Sequence, residues 1–199
     1  MSETWHEISQ VIKKNAHELV LSGPDISKKI LDNGVDPTLF TLEGINYLNI
    51  NHTSLENLPE EVGQLKNLTN LVLHSNALKK LPSSIKNLSK LKFLDCSRNK
   101  LEEVPLELEC LPQLMTLNLG SNILSFVPSQ INNTKLSIID LSHNRFEVFP
   151  DLCFTELVHL AEIRINDNLI KEIPSNICIL PSLKLLDLGN NQISGKYIV

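Results

Sequence analysis

His74, Asp95 and Ser97 are the side-chain types of a hydrolytic triad, and they sit at similar places in neighbouring stretches of the chain. A nucleophilic serine also needs an oxyanion hole, a pocket and a sharply turned backbone. The surrounding sequence offers none of these, so the three read as solvated side chains of a non-enzymatic protein. Cys96, Cys110, Cys153 and Cys178 stand apart without Cys-x-x-Cys spacing. Free thiols in a reducing compartment are expected, with Cys153 and Cys178 the two that adjacent turns could bring near each other. His52 and His143 are too far apart to share a metal, and no residue set asks for a metal or cofactor. Lys79, Lys80, Lys86, Lys90, Lys92, Arg98 and Lys100 surround the single acid Asp95, a composition that suits a nucleic-acid patch. Against that stands a formal net charge of −5, which opposes bulk attraction to nucleic acid or anionic lipid. There is no apolar run long enough to span a bilayer and no secretory leader in the first residues. Asn51, Asn67, Asn87 and Asn132 open glycosylation sequons, which arise by chance in a chain with 21 Asn and are read as unused. The expected setting is cytoplasmic, with no membrane contact.

What must position these residues is a repeat. The 199 residues include 36 Leu and 21 Asn. Aligned on Leu-x-x-Leu-x-Leu-x-x-Asn-x-Leu, units start at Ile45, Leu68, Leu91, Leu114, Leu136, Leu160 and Leu183, with steps of 22 to 24 residues. One unit reads Leu68, Leu71, Leu73, Asn76, Leu78, Leu81, Pro82, Ile85, Leu88. This resembles the leucine-rich repeat in its 23-residue form. The fold class implied is α/β: a leucine-rich repeat solenoid, or horseshoe, with a parallel concave sheet, a convex side mostly of turns and 3₁₀ pieces, and a helical N-terminal cap.

The spacing has a physical cause. In Leu-x-Leu the period of two puts both Leu on the inner side of a short strand. Where the chain turns away, backbone groups lose ladder partners, and an Asn amide can both donate and accept there. Asn76, Asn99, Asn122, Asn144, Asn168 and Asn191 are expected to form that ladder, with Thr53 replacing Asn in the first unit. Pro59, Pro82, Pro105, Pro128, Pro150 and Pro174 open the convex return, where no strand amide is needed. The unit of 24 residues (Pro150, Leu152, Phe154, Leu157) should turn differently. On the convex flank Lys79 and Lys80 should face Glu102 and Glu103, with Glu56 on the other side, and Lys86 should face Glu109. Lys90, Lys92, Arg98 and Lys100 are then the less compensated cations.

The alternation also assigns the concave surface. One row holds Tyr47, Asn70, Phe93, Thr116, Ile138, Glu162 and Leu185. The next holds Asn49, Val72, Asp95, Asn118, Asp140, Arg164 and Asp187, and the third begins Asn51, His74, Ser97. Large apolar anchors among charged groups suit a protein partner.

Residues 1–44 are read as a helical cap with a degenerate half repeat. Trp5, Ile8, Ile12, Ala16, Leu19 and Val20 follow helical spacing, predicting a helix over 3–21. A second helix is expected over 26–33, capped by Asp25, with Ile26, Ile30 and Leu31 inward and Gly34 at its end. Pro37, Leu39 and Leu42 look like half a repeat. The repeats occupy 45–194, and the seventh breaks off at 195–199. Codons for Gly195-Lys-Tyr can contain a splice-donor-like sequence, so this tail reads as translated intron and the array as truncated, which sequencing the transcript would check. The chain is expected to be a monomer unless its last, uncapped edge associates.

Trp5, the run Glu18-Leu19-Val20-Leu21-Ser22-Gly23-Pro24, and Pro37-x-Leu39-Phe40-x-Leu42 ahead of the repeats resemble the leucine-rich repeat-containing protein 47 family. Members of that family resemble, in their C-terminal half, the tRNA-editing-like domain of phenylalanyl-tRNA synthetase beta subunits. The resemblance thus implies an RNA- or synthetase-associated role, carried by a half that this chain lacks. The leading expectation is a scaffold binding a protein of unknown identity through the concave face; RNA association is the alternative.

Overall fold

The computed structural model describes residues 4–128, 134–152 and 154–194. Eight strands follow one another in chain order, and each is hydrogen-bonded in parallel to its sequence neighbours. They are β1 (Glu18–Ser22), β2 (Tyr47–Asn51), β3 (Asn70–Val72), β4 (Phe93–Asp95), β5 (Thr116–Asn118), β6 (Ile138–Asp140), β7 (Glu162–Arg164) and β8 (Leu185–Asp187). Such an order forms only if every connection returns to the same side, because parallel neighbours need a crossover of a dozen or more residues. The molecule is therefore a leucine-rich repeat solenoid.

The convex returns are short 3₁₀ segments: Pro37–Thr41, Glu60–Gln64, Ser83–Asn87, Leu106–Cys110 and Ser175–Ile179. Pro59, Pro82, Pro105 and Pro174 each stand immediately before one, at φ between −62° and −71°. The ring fixes that angle in advance and removes a donor that no ladder uses. The 24-residue unit has no 3₁₀ segment among its described residues. Leu152 N and Phe154 N donate instead to Pro150 O and Leu152 O, and the Phe149 and Phe154 rings lie 6.2 Å apart.

The inward positions Leu68, Leu71, Leu73, Leu91, Leu94, Leu114, Leu117, Leu136 and Leu160 are completely buried, and so is Phe146 where its neighbours carry Leu or Ile. A repeat alone could not close over such a layer; stacking the next coil on it does.

The turn out of each strand has a feature that the repeat pattern does not announce. His52, Ser75, Arg98, Ser121, His143, Asp167 and Asn190, each just before the ladder position, adopt φ of 51–57°. This left-handed conformation disfavours most side chains. In the first six it is held in place by coil-to-coil bonds, such as Arg98 N to Gly120 O at 2.9 Å.

The cap departs from the expected long helix. Helix α1 covers only His6–Lys14 and ends at Asn15, φ 47°. Leu19 and Leu21 are inward residues of β1, which pairs with β2 from Glu18↔Tyr47 to Ser22↔Asn51. Ile12 and Val20, expected inside, are 53 % and 51 % exposed. The helical period and the strand period coincide over this stretch, and pairing with β2 decided between them. Helix α2 spans Pro24–Asn33. Gly23 rather than Asp25 is its N-cap, Pro24 opens it, and Gly34 closes it at φ 73°. Ile26 and Ile30 are buried, but Leu31 is 65 % exposed.

Asp36 ties the cap together. Its carboxylate accepts from Trp5 N at 2.8 Å and from Thr38 N at 2.9 Å, and the residue is buried. Lys29 adds an ion pair to Glu7 at 3.1 Å and stands 5.5 Å from the Trp5 ring centre. Asp36→Ala should lower unfolding free energy by about 1–3 kcal/mol, the usual penalty for removing the acceptor of two partly buried donors. Urea titration checks this, and an unchanged midpoint would remove Asp36 from the account of the cap.

Candidate concave binding face

The register places the sequence-assigned residues in rows across the sheet. Tyr47, Asn70, Phe93, Thr116, Ile138, Glu162 and Leu185 are partners in one row; Asn49, Val72, Asp95, Asn118, Asp140, Arg164 and Asp187 are partners in the next. Tyr47, Phe93 and Ile138 are half-buried, Leu185 is exposed, and Val72 is closed off between Asn49 and Asp95 with only 8 % exposure. Val72 therefore offers little surface, contrary to its expected place among the contact residues.

Several Asp and Asn side chains of this face already have work within the coil. Asp95 Oδ1 accepts from Ser97 N at 2.9 Å, Asn118 Oδ1 from Gly120 N at 3.1 Å, Asp140 Oδ1 from Ser142 N at 2.9 Å and Asp187 Oδ1 from Gly189 N at 3.0 Å. An Asp or Asn two residues before a Ser or Gly is the sequence mark of such a turn, and it went unread because the same residues looked like contact groups. Arg164 stands between Asp140 and Asp187 in register but bonds Glu162 Oε2 at 2.6 Å, one strand position pair away on its own strand. Tyr47 Oη accepts from Asn49 Nδ2 at 3.3 Å, and Asn49 Oδ1 accepts from Asn51 Nδ2 at 2.6 Å. These contacts preorder the face.

The triad-like residues are not assembled. His74 Nδ1 lies 3.1 Å from Ser75 Oγ, and its ring meets His52 edge-on at 5.3 Å; Asp95 holds the Ser97 amide. The His52–His74 contact was missed because the pairing of these two turns is not visible from their types alone. His143 pairs with Asp167 at 3.4 Å, and hydrogen bonds from Asn190 and Asn166 hold the Asp167 carboxyl below the usual range. Among the described residues no group of three or more His, Cys, Asp or Glu could hold a metal.

Behind the face lies the Asn ladder. Asn99, Asn122, Asn144 and Asn168 are buried, whereas Asn76 and Asn191 are partly so. Each Oδ1 accepts an amide of the preceding coil, from Leu78, Leu101, Leu124 and Phe146 for the buried four and from Ile170 for Asn191, at 2.9–3.0 Å. Thr53 N and Oγ1 both donate to Asn76 Oδ1, at 2.9 and 2.8 Å.

Cys96 fills an inward position with no exposure, and burial, aided by the Asp95 charge, pushes its thiol pKa far up. Cys110 and Cys178 are exposed free thiols, and Cys153 lies outside the described residues. Maleimide labelling of the native chain should therefore modify Cys110 and Cys178 and reach Cys96 only on unfolding. Fast native labelling at Cys96 would contradict its place in the core.

The basic run is divided among neighbours. Lys79 pairs with Glu56 at 3.2 Å and Lys90 Nζ donates to Asn67 at 2.6 Å. Lys86 pairs with Glu107 at 3.9 Å, not with Glu109, because two residues along the 3₁₀ segment change which side chain leans across. Lys80, Lys92, Arg98 and Lys100 form no ion pair among the described residues. No helix among them is long and apolar enough to cross a membrane.

An open parallel sheet with one uncovered concave face, backed by a buried Asn ladder, defines a repeat scaffold. The family model for the leucine-rich repeat region matches residues 37–145, and a second leucine-rich repeat model matches residues 134–193. The chain belongs to the leucine-rich repeat family. No curated protein matches the sequence. Among solved structures, a TDR receptor superposes with a TM-score of 0.77 at 25% identity over 94% of this chain and 33% of its own. The ectodomain of the Arabidopsis thaliana membrane receptor kinase GASSHO1/SCHENGEN3, in complex with Casparian strip integrity factor 2, gives 0.69 at 28% identity over 81% of this chain and 20% of its own. Toll of Drosophila, in its complex with Spatzle, gives 0.61 at 24% identity, covering 76% and 24%, and shares the fold. The chain thus spans a third or less of the length of these structures.

Proposed function

We propose that this chain is a non-enzymatic scaffold that binds a protein partner through its concave face, in a reducing intracellular compartment. The observation that carries the reading is the face itself. Half-buried Tyr47, Phe93 and Ile138 and exposed Leu185 are set among Asp95, Asp140, Asp187 and the Arg164–Glu162 pair. A few large anchors ringed by polar groups that are already ordered reduce the entropy lost on docking. The GASSHO1/SCHENGEN3 and Toll structures are complexes with protein ligands, which supports the same use for this scaffold. The two exposed thiols fit a reducing compartment.

Affinity capture with the native chain and with a Phe93→Ala/Arg164→Ala variant tests the proposal. The partner should be retained by the first, lost by the second, and remain bound as salt is raised. A ligand that instead weakens steeply with salt and depends on Lys92, Arg98 and Lys100 would establish the RNA-associated role implied by the protein 47 family resemblance.

A further inference from the structure

Imidazole suits the borderline divalent cations, and two imidazoles at the right separation can chelate one. His52 and His74 are such a pair. Their rings meet with centres 5.3 Å apart and planes at 88°. Two imidazoles bound to one tetrahedral ion through nitrogens at about 2.0–2.1 Å place their ring centres about 5 Å apart. Perpendicular planes are no obstacle, since each ring need contain only its own metal–nitrogen bond. His52 is exposed and His74 half-buried, so both rings are open to solvent.

The backbone fixes the spacing. His52 is left-handed at φ 52°, and its N donates at 3.0 Å to the carbonyl of Ser75, the residue after His74. Later coils bring the equivalent positions together with other residue types: Ser75 with Ser97, Ser121 with Ser142, Asp167 with Gly189. Folding therefore does not require an imidazole at either place.

Each ring is also oriented from behind. His52 Nδ1 lies 2.9 Å from Asn51 Oδ1, which can only accept, while Asn51 Nδ2 is committed to Asn49 Oδ1 at 2.6 Å. The neutral ring then carries its proton on Nδ1 and its lone pair on Nε2. His74 Nδ1 lies 3.1 Å from Ser75 Oγ, which can accept in the same way. Neither Nε2 has a hydrogen-bonding partner among the described residues. A ligating histidine almost always donates its other N–H to such an oxygen.

We propose that His52 and His74 bind one zinc-class divalent cation through their Nε2 atoms, with Asn51 and Ser75 holding the rings. Two protein ligands leave the other positions to water, so the ion is exchangeable and open to a further donor. Cations that seek oxygen, such as Mg²⁺ and Ca²⁺, find no match in this pair.

The test uses the untagged chain, alkylated in its native state so that exposed thiols, Cys110 and Cys178 among them, take no metal. Titration calorimetry with zinc chloride should show one bound ion, and with magnesium chloride none. In imidazole NMR spectra, zinc should shift the ring signals of His52 and His74 before those of the other histidines. His52→Ser and His74→Ser should each weaken zinc binding at least about tenfold, since the second bond of a chelate is intramolecular. The metal-free variants should keep their melting temperature, because Ser75 and Ser97 already occupy the equivalent places. His143→Ser should leave zinc binding intact. Absence of zinc binding, binding undiminished in either single variant, comparable shifts at every histidine, or equal heats with magnesium overturns the proposal.

Discussion

Asn122→Ala should lower the stability of this chain by about 3 kcal/mol, while Asn118→Ala should lower it by about 0.5–1.5 kcal/mol. The two residues are four apart and chemically identical, so the difference is one of placement. Asn118 is half-exposed on the concave face, and its Oδ1 accepts from Gly120 N at 3.1 Å. Asn122 is buried, and its amide joins two coils with three bonds: Oδ1 accepts from Leu101 N, and Nδ2 donates to Cys96 O and Leu119 O. The three bonds do not count equally. Cys96 O also accepts from Asn99 Nδ2, and Leu119 O also accepts from Asn144 Nδ2, so both carbonyls keep a partner when Asn122 is lost. The Leu101 amide is left without its acceptor. Its stranding accounts for about 1–3 kcal/mol, and the two Nδ2 bonds for the remainder. The ladder is thus redundant in its acceptors and singular in its donors. For a chain of this size the loss should appear as a fall in melting temperature of about 2–4 °C per kcal/mol. Hydrogen exchange should rise most sharply at Leu101. Equal losses for Asn118→Ala and Asn122→Ala would sink the argument.

The same contrast explains what could be read in advance. The Leu positions and the ladder Asn are set by a translational repeat, in which every coil must satisfy the same buried groups, so the sequence states the Leu pattern seven times and the Asn six. Strand β1 is stated once. Leu19 and Leu21 carry the Leu-x-Leu of a strand, but the same stretch continues the helical period of Ile8, Ile12 and Ala16. The decisive facts are tertiary: pairing with β2 and the left-handed Asn15 that ends α1. The left-handed residue of each coil was illegible for another reason. Ser75, Arg98 and Ser121 have no preference for that conformation, which coil-to-coil bonds impose on them. On the concave face, residue types gave the rows but not their occupancy. Asp95 and Asp140 read as free contact groups until the turn amides they accept were seen.

Gly63→Ala is the second large effect, and the repeat pattern gives no warning of it. The equivalent positions in the following coils are Lys86 and Glu109, so a side chain is evidently acceptable there in general. Between the 3₁₀ segments Glu60–Gln64 and Ser83–Asn87 it is not. A Cβ on Gly63 would lie 2.7 Å from both Ser84 Cβ and Ser84 O. The backbone oxygen cannot rotate away, and the two segments cannot easily slide apart. Glu60 fastens them, accepting from Ser83 N at 3.2 Å and Ser84 N at 2.8 Å, bonds that also hold its carboxyl below the usual range. Overpacking of this kind costs about 1–3 kcal/mol. On conformational entropy alone the opposite sign follows, because Gly→Ala at an ordinary φ stabilises by about 0.4–1 kcal/mol. The sign of the measured change therefore decides whether the coils approach as closely as the geometry states. Lys86→Ala is the control. It deletes an exposed side chain and a 3.9 Å ion pair, and should change stability by no more than about 0.5 kcal/mol. A cycle with Ser84→Gly should show favourable coupling, because that change removes the Cβ contact, and the recovery should stay incomplete because Ser84 O remains. Stabilisation by Gly63→Ala in urea unfolding, or an absence of coupling to Ser84, would show that the convex turns stand further apart, with room for side chains between every pair of coils.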